Sequence, residues 1–135
     1  MSAPIGPYTP LVQAGPWLIC SGQLGVHQPA ASRSATVDAV PTAPVLVDGG
    51  APAQLAQALA NAGRLLADHG ATPGDVVKTT VYVTDMDQFA AVNRAYVAFF
   101  GDHRPARSLV GVAALPMGAA VEVELWAYVA PGAGG

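Results

Sequence analysis

The 135 residues are 52% apolar and only 11% charged, with a formal charge of −3 and a pI near 5.3. That length and apolar content suit a single domain, residues 1–135, around one core, and six scattered Lys and Arg give no basic footprint for nucleic acid or an anionic membrane. The lone Cys20 excludes an intrachain disulfide and a cysteine metal cluster, and fits a reducing, cytoplasmic setting. The first residues lack the basic stretch and apolar run of a signal peptide, and Pro, Gly or charge interrupts every apolar segment short of the ~20 residues that span a bilayer, so a soluble protein is expected. So little charge leaves much weakly polar surface, which favours burial against other copies.

Ile5-Gly6-Pro7-Tyr8 reads as a turn carrying an aromatic, followed by two predicted strands, Leu11 to Gln13 and Trp17 to Ser21, joined through Ala14-Gly15-Pro16. The second ends on Ser21-Gly22-Gln23: a hydroxyl, a residue without a Cβ and an amide. Gly22 there permits a ligand to approach the backbone, or simply makes a turn or bulge. His27 to Gly50, rich in Pro, Ala, Ser and Thr, reads as a long mobile surface loop with a short strand near Pro44 to Val47. His27 has no partner His or Cys for a metal site.

Leu55, Leu59, Ala62 and Leu66 have helical spacing, predicting a helix from Ala51 to His69 that stops at Gly70. Pro73-Gly74-Asp75 turns the chain into a strand, Val76 to Val83, with Val77, Val81 and Val83 on one face and Lys78, Thr80 and Tyr82 on the other. Thr84 or Asp85 caps a second predicted helix, from Met86 or Asp87 to Phe100, whose apolar stripe is Phe89, Val92, Tyr96, Phe99 and Phe100. Asn93 sits at the edge of that stripe.

Arg107 to Ala113 and Ala120 to Tyr128 read as a closing hairpin about Pro116 and Gly118. With the turn centred between Pro116 and Met117, Arg107 shares a face with Glu122, Glu124 and Trp126, while Val110 and Val112 join Val121 and Val123 opposite. A one-residue slip would undo this sorting. An Arg beside a carboxylate can grip a carboxylate ligand with its planar fork while the Glu orients a water, or the two can simply link strands, which the hairpin alone favours. Trp17 and Trp126 read as structural.

The order β, β, loop, α, β, α, β, β predicts an α+β sandwich with both helices on one face of a mostly antiparallel sheet. Its other face, expected to carry Arg107, Glu122, Glu124, Trp126 and Tyr82, needs covering by another subunit, which would create clefts between subunits.

Together these stretches resemble the Rid proteins (YjgF/YER057c/UK114), whose best-known members are enamine/imine deaminases. The motifs are Ile5-Gly6-Pro7-Tyr8, Ser21-Gly22-Gln23, Gly74 to Val83, Val92-Asn93 with Tyr96 and Phe99-Phe100, Pro105-Ala106-Arg107-Ser108, Leu115-Pro116 and Val121-Glu122-Val123-Glu124. The resemblance implies a chorismate-mutase-like fold and a homotrimer with three sites between subunits. It implies that Arg107 binds the substrate carboxylate and that Glu122 positions the attacking water. Tyr8, Ser21, Gly22 and Asn93 would line the pocket. Leu109 stands where many members have Cys, removing any role for that thiol and making the pocket more apolar. The segment from His27 to Gly50 is longer than the usual family loop.

The function the resemblance implies is hydrolysis of reactive 2-imino or enamine acids, such as 2-iminobutanoate and 2-iminopropanoate, to 2-keto acids and ammonia, with no cofactor and no metal. A pathway-specific homologue acting on an aminoacrylate or aminomuconate-type substrate, and a non-catalytic binder of small carboxylates, are the alternatives. An endoribonuclease fits poorly with so acidic a chain.

Overall fold

The computed structural model describes residues 6–28 and 44–131. The expectations for Ile5 and for most of the long loop therefore lie outside the described residues. The alternating sequence of the last strand sets the architecture. Val121, Val123, Leu125 and Ala127 are fully buried, whereas Glu122 and Glu124 are half-buried and Trp126 and Tyr128 exposed, so one face of this strand belongs to the core.

Among the described residues the elements are β1 (Leu11–Ala14), β2 (Trp17–Leu24), α1 (Gly50–Asp68), β3 (Val76–Val83), α2 (Phe89–Phe100), β4 (Ala106–Gly111) and β5 (Val121–Tyr128). The strands form one mixed sheet in the order β1-β2-β5-β3-β4. All pairings are antiparallel except β3 with β4, which is parallel and bridged by α2. Both helices cover one face. Leu55, Leu59, Ala62 and Leu66 of α1 and Val92, Tyr96 and Phe100 of α2 share a core with Leu18, Cys20, Val81, Val83, Val123 and Leu125 of the sheet. Burial pushes the Cys20 thiol up to about 12, leaving it an inert core residue.

The expected closing hairpin does not exist. β3 lies between β4 and β5 and pairs with both. A strand, a helix and a strand in succession form a parallel crossover, so β4 docks beside β3, and the chain from Val112 to Ala120 crosses the end of β3 to reach β5. Val112 N–H still bonds Val83 C=O, and Thr84 N–H bonds Ala120 C=O, securing that crossing.

This topology reverses the expected position of Arg107. Thr79 is opposite both Arg107 and Leu125, and Tyr82 is opposite both Val110 and Glu122. Arg107 therefore lies on the helix face with Thr79, while Glu122, Glu124, Tyr82 and Trp126 lie on the open face. Val110, expected on the core side, is on the open face and 41% exposed. Val77 also departs from its expected face: the β3–β5 register shifts between Val76 and Lys78, leaving Val77 exposed and Val76 buried.

Candidate functional site

Two groups of motif residues gather at different places. The first is a groove of about 490 Å³ lined by Gly6, Pro7, Tyr8, Ser21, Gly22, Leu24, Pro116 and Glu122. Its geometry starts with an irregularity in β2, whose register against β5 shifts between Cys20 and Gln23. Ser21 and Gly22 occupy that bulge, and a Cβ on Gly22 would overlap the Glu122 carboxylate. The glycine thus leaves the Glu122 carboxylate its present position, which any Cβ there would displace. Ser21 ties down the opening segment: its hydroxyl donates to Thr9 C=O at 2.6 Å, and its N–H bonds Pro10 C=O at 2.8 Å. Tyr8 borders the groove and remains 42% exposed.

Glu122 is half-buried in this groove. Burial, and then the neighbouring Glu124 charge, raises its pKa above the ordinary 4.5. Glu124 is differently placed, because it accepts a 2.7 Å hydrogen bond from the Tyr82 hydroxyl. That bond pushes the Tyr82 pKa up to about 12. Of the two carboxylates, Glu122 is the one facing the groove.

The second group surrounds Arg107 on β4. Its Nη1 donates to Asn93 Oδ1 at 2.9 Å, and its guanidinium carbon lies 4.8 Å from the Tyr96 ring centre and 6.0 Å from that of Phe89. Phe89, Asn93 and Tyr96 are spaced i, i+4, i+7 along α2, so all three can reach Arg107, Tyr96 from the buried side and Phe89 from the exposed one. Leu109, two residues beyond Arg107, shares its side of β4 and packs against the core. A guanidinium has five N–H donors, so one bond to Asn93 leaves a planar fork for an anion.

Arg107 and Asn93 are therefore brought together, as are Tyr8, Ser21, Gly22 and Glu122. The two groups are not joined within one chain. β3 separates the strands of Arg107 and Glu122, roughly 10 Å at ordinary strand spacing, and the side chains point from opposite faces. A small acid cannot touch both.

Phe89 and Tyr96 join this site beyond the residues expected from the sequence, where the helical spacing that places Asn93 between them is their signal. Thr79, also missed, is opposite Arg107, a relation that only the parallel pairing reveals. Pro116, beside the Leu115-Pro116 motif, completes the groove wall. No group of three or more metal-ligating side chains occurs among the described residues.

The family model described as Endoribonuclease L-PSP matches residues 1–129. The chain belongs to this family, that of the YjgF/UK114 proteins. A mouse relative named 2-iminobutanoate/2-iminopropanoate deaminase is 39% identical over 129 residues, covering 96% of this chain and 86% of the relative. An Escherichia coli K12 relative of the same name is 39% identical over 125 residues, covering 90% and 87%. The crystal structure of RidA from a Psychrobacter species superimposes with a TM-score of 0.79 at 34% identity, covering 94% of this chain and 92% of that one. In this YjgF/UK114 member the Pro-Ala-Arg-Ser motif opens β4, Gly-Pro-Tyr and Ser-Gly-Gln build the groove, and Glu-x-Glu supplies the groove carboxylate.

Proposed function

We propose that this protein hydrolyses 2-imino acids to 2-keto acids and ammonia, at sites each formed by two chains. One observation carries the reading: the Arg107 guanidinium is held by Asn93, Tyr96 and Phe89, with donors left for a carboxylate. The names of the mouse and Escherichia coli relatives support the reaction class. The separation of Arg107 from Glu122 supports a shared site, with Arg107, Asn93 and Leu109 contributed by one copy and Tyr8, Ser21, Gly22 and Glu122 by its neighbour.

The substrate joins a carboxylate to an electrophilic C=N carbon. Arg107 fixes the carboxylate, which converts attack on the adjacent carbon into a positioned event. Glu122, with its pKa raised above the ordinary value by burial and by Glu124, accepts a proton from water as the oxygen adds to the carbon. The C=N π pair moves onto nitrogen, which takes up that proton; the new hydroxyl then passes its own proton to nitrogen, its O–H pair closing the C=O as the C–N bond breaks with its electron pair leaving on ammonia, and the keto acid remains. Water is the only other reactant, so the reaction calls for no cofactor. Leu109 gives the carboxylate end of the site an apolar neighbour, suited to a short aliphatic substrate.

A second reading rests on the same separation of residues. A chain that does not bring Arg107 to a neighbour's Glu122 would bind small carboxylates without turnover. The endoribonuclease suggested by the family description is less favoured, because six Lys and Arg in a chain of net charge −3 give little phosphate-binding surface.

Release of 2-keto acid from 2-iminopropanoate and 2-iminobutanoate, generated in situ by an amino-acid oxidase, tests the proposal. The native protein is expected to accelerate release, and Arg107→Ala to lower kcat/KM by about 100-fold, the scale of a lost charge-assisted bidentate contact. Keto-acid binding without acceleration would favour the binding protein. Turnover confined to unsaturated imino acids would point to a pathway-specific enzyme.

A further inference from the structure

We infer that Tyr96, held from behind by Thr79, is a positioning residue for Arg107 and sets the affinity for the substrate carboxylate. The inference rests on the carboxylate-binding role proposed for Arg107, and adds residues from the helix–sheet core to it.

Thr79 and Arg107 are register partners on adjacent parallel strands, so their side chains stand together under α2. Thr79 is fully buried, and its hydroxyl lies 2.8 Å from the Tyr96 hydroxyl. Tyr96 is 5% exposed. The hydroxyl contact fixes the far end of the ring, whose face then supports the guanidinium at 4.8 Å. Burial raises the Tyr96 pKa, which keeps the ring neutral and its hydroxyl protonated for the Thr79 bond.

The geometry gives each neighbour of Arg107 a different task. Asn93 accepts one N–H and sets the rotation of the fork. Tyr96 attracts the cation to its face and blocks its retreat towards the core. Phe89, at 6.0 Å and 44% exposed, flanks the solvent side. An unsupported arginine would lose rotamer freedom on gripping a carboxylate, whereas this one is ordered beforehand. A tyrosine acting only as core filling would have no dependence on Arg107.

Steady-state kinetics with 2-iminobutanoate test this in native and Arg107→Ala backgrounds. Tyr96→Leu is expected to raise KM about tenfold with kcat little changed, the scale of a partly desolvated cation–π contact. Tyr96→Phe, which keeps the ring, should recover most of that loss, and Thr79→Val should match Tyr96→Phe. In the Arg107→Ala background none of the three should raise KM further. If Tyr96→Leu does not fold, the same comparison runs on Tyr96→Phe and Thr79→Val, with an expected rise of about threefold. An unchanged KM in the native background, or an equal rise without Arg107, would overturn the inference. If Arg107→Ala itself leaves KM and kcat unchanged, the carboxylate role fails and the positioning role falls with it.

Discussion

Glu122 illustrates how one side chain is given a proton-transfer task by its surroundings. The Ser21–Gly22 bulge supplies the space, the half-buried groove disfavours its charge, and Glu124 on the same face adds a like charge. If Glu122 takes a proton from water, activity requires its carboxylate form. The rate should therefore hold above its raised pKa and fall about tenfold per pH unit below it. Glu124→Gln should move that acid limb to lower pH, though not back to 4.5, because burial is the larger cause. A pH profile of kcat/KM for the two proteins checks this, and a limb that stays in place or moves upward would contradict it. Both Arg107 and Glu122 stand out in the sequence by their residue types and motifs. Their relation does not, since the face each side chain takes depends on which strands become neighbours.

At the scale of elements, the helices and most strands are legible because their signals are local. Leu55, Leu59, Ala62 and Leu66 specify α1 by spacing alone, and Asp85 accepts a hydrogen bond from Asp87 N–H at the turn that enters α2. The closing hairpin failed because its signal was proximity in sequence. β5 instead inserts between β2 and β3, a non-local choice that pairs both neighbours' edges and lines up their apolar residues on the face the helices cover. α1 then secures the groove from beneath. Gln54 Oε1 accepts from Ala120 N–H just before β5, and Asn61 Nδ2 donates to Leu24 C=O and Val26 C=O just after the bulge of β2. This closeness needs a glycine, since a Cβ on Gly25 would overlap the Gln54 backbone. Gly25→Ala should destabilise the fold by about 1–3 kcal/mol, an overpacking cost that backbone on both sides cannot easily relieve. Thermal or urea unfolding would measure it, and an unchanged midpoint would show that α1 does not press on β2 this closely.

Among the described residues, both helices lie on one face of the sheet and none covers the other. That open face carries Trp17, Trp126 and Tyr128, with Trp17 edge-on to the other two at centroid distances of 5.9 and 5.1 Å, and also exposed Val12 on β1 and Val110 on β4. The low charge content pointed to buried surface between copies, and this face is where the described residues offer it. A sequence can announce such a face by alternation, but cannot show that the carboxylate clamp lies on the opposite side from the groove glutamate. That separation makes a second copy a requirement of the proposed reaction, and in the proposed trimer each chain would supply half of a site to each of two neighbours.

The most direct test of a shared site mixes two impaired variants. Arg107→Ala and Glu122→Gln are purified separately, unfolded and refolded together at equal concentration, with native mass spectrometry confirming mixed assemblies of three chains. An intact site then forms wherever Arg107 of a Glu122→Gln chain meets Glu122 of an Arg107→Ala chain. Random mixing should restore roughly a quarter of the native imine-hydrolysing activity, well above the residual rate of either variant refolded alone. Mixed trimers that form and stay at that residual rate would contradict a site built from Arg107 of one chain and Glu122 of the next.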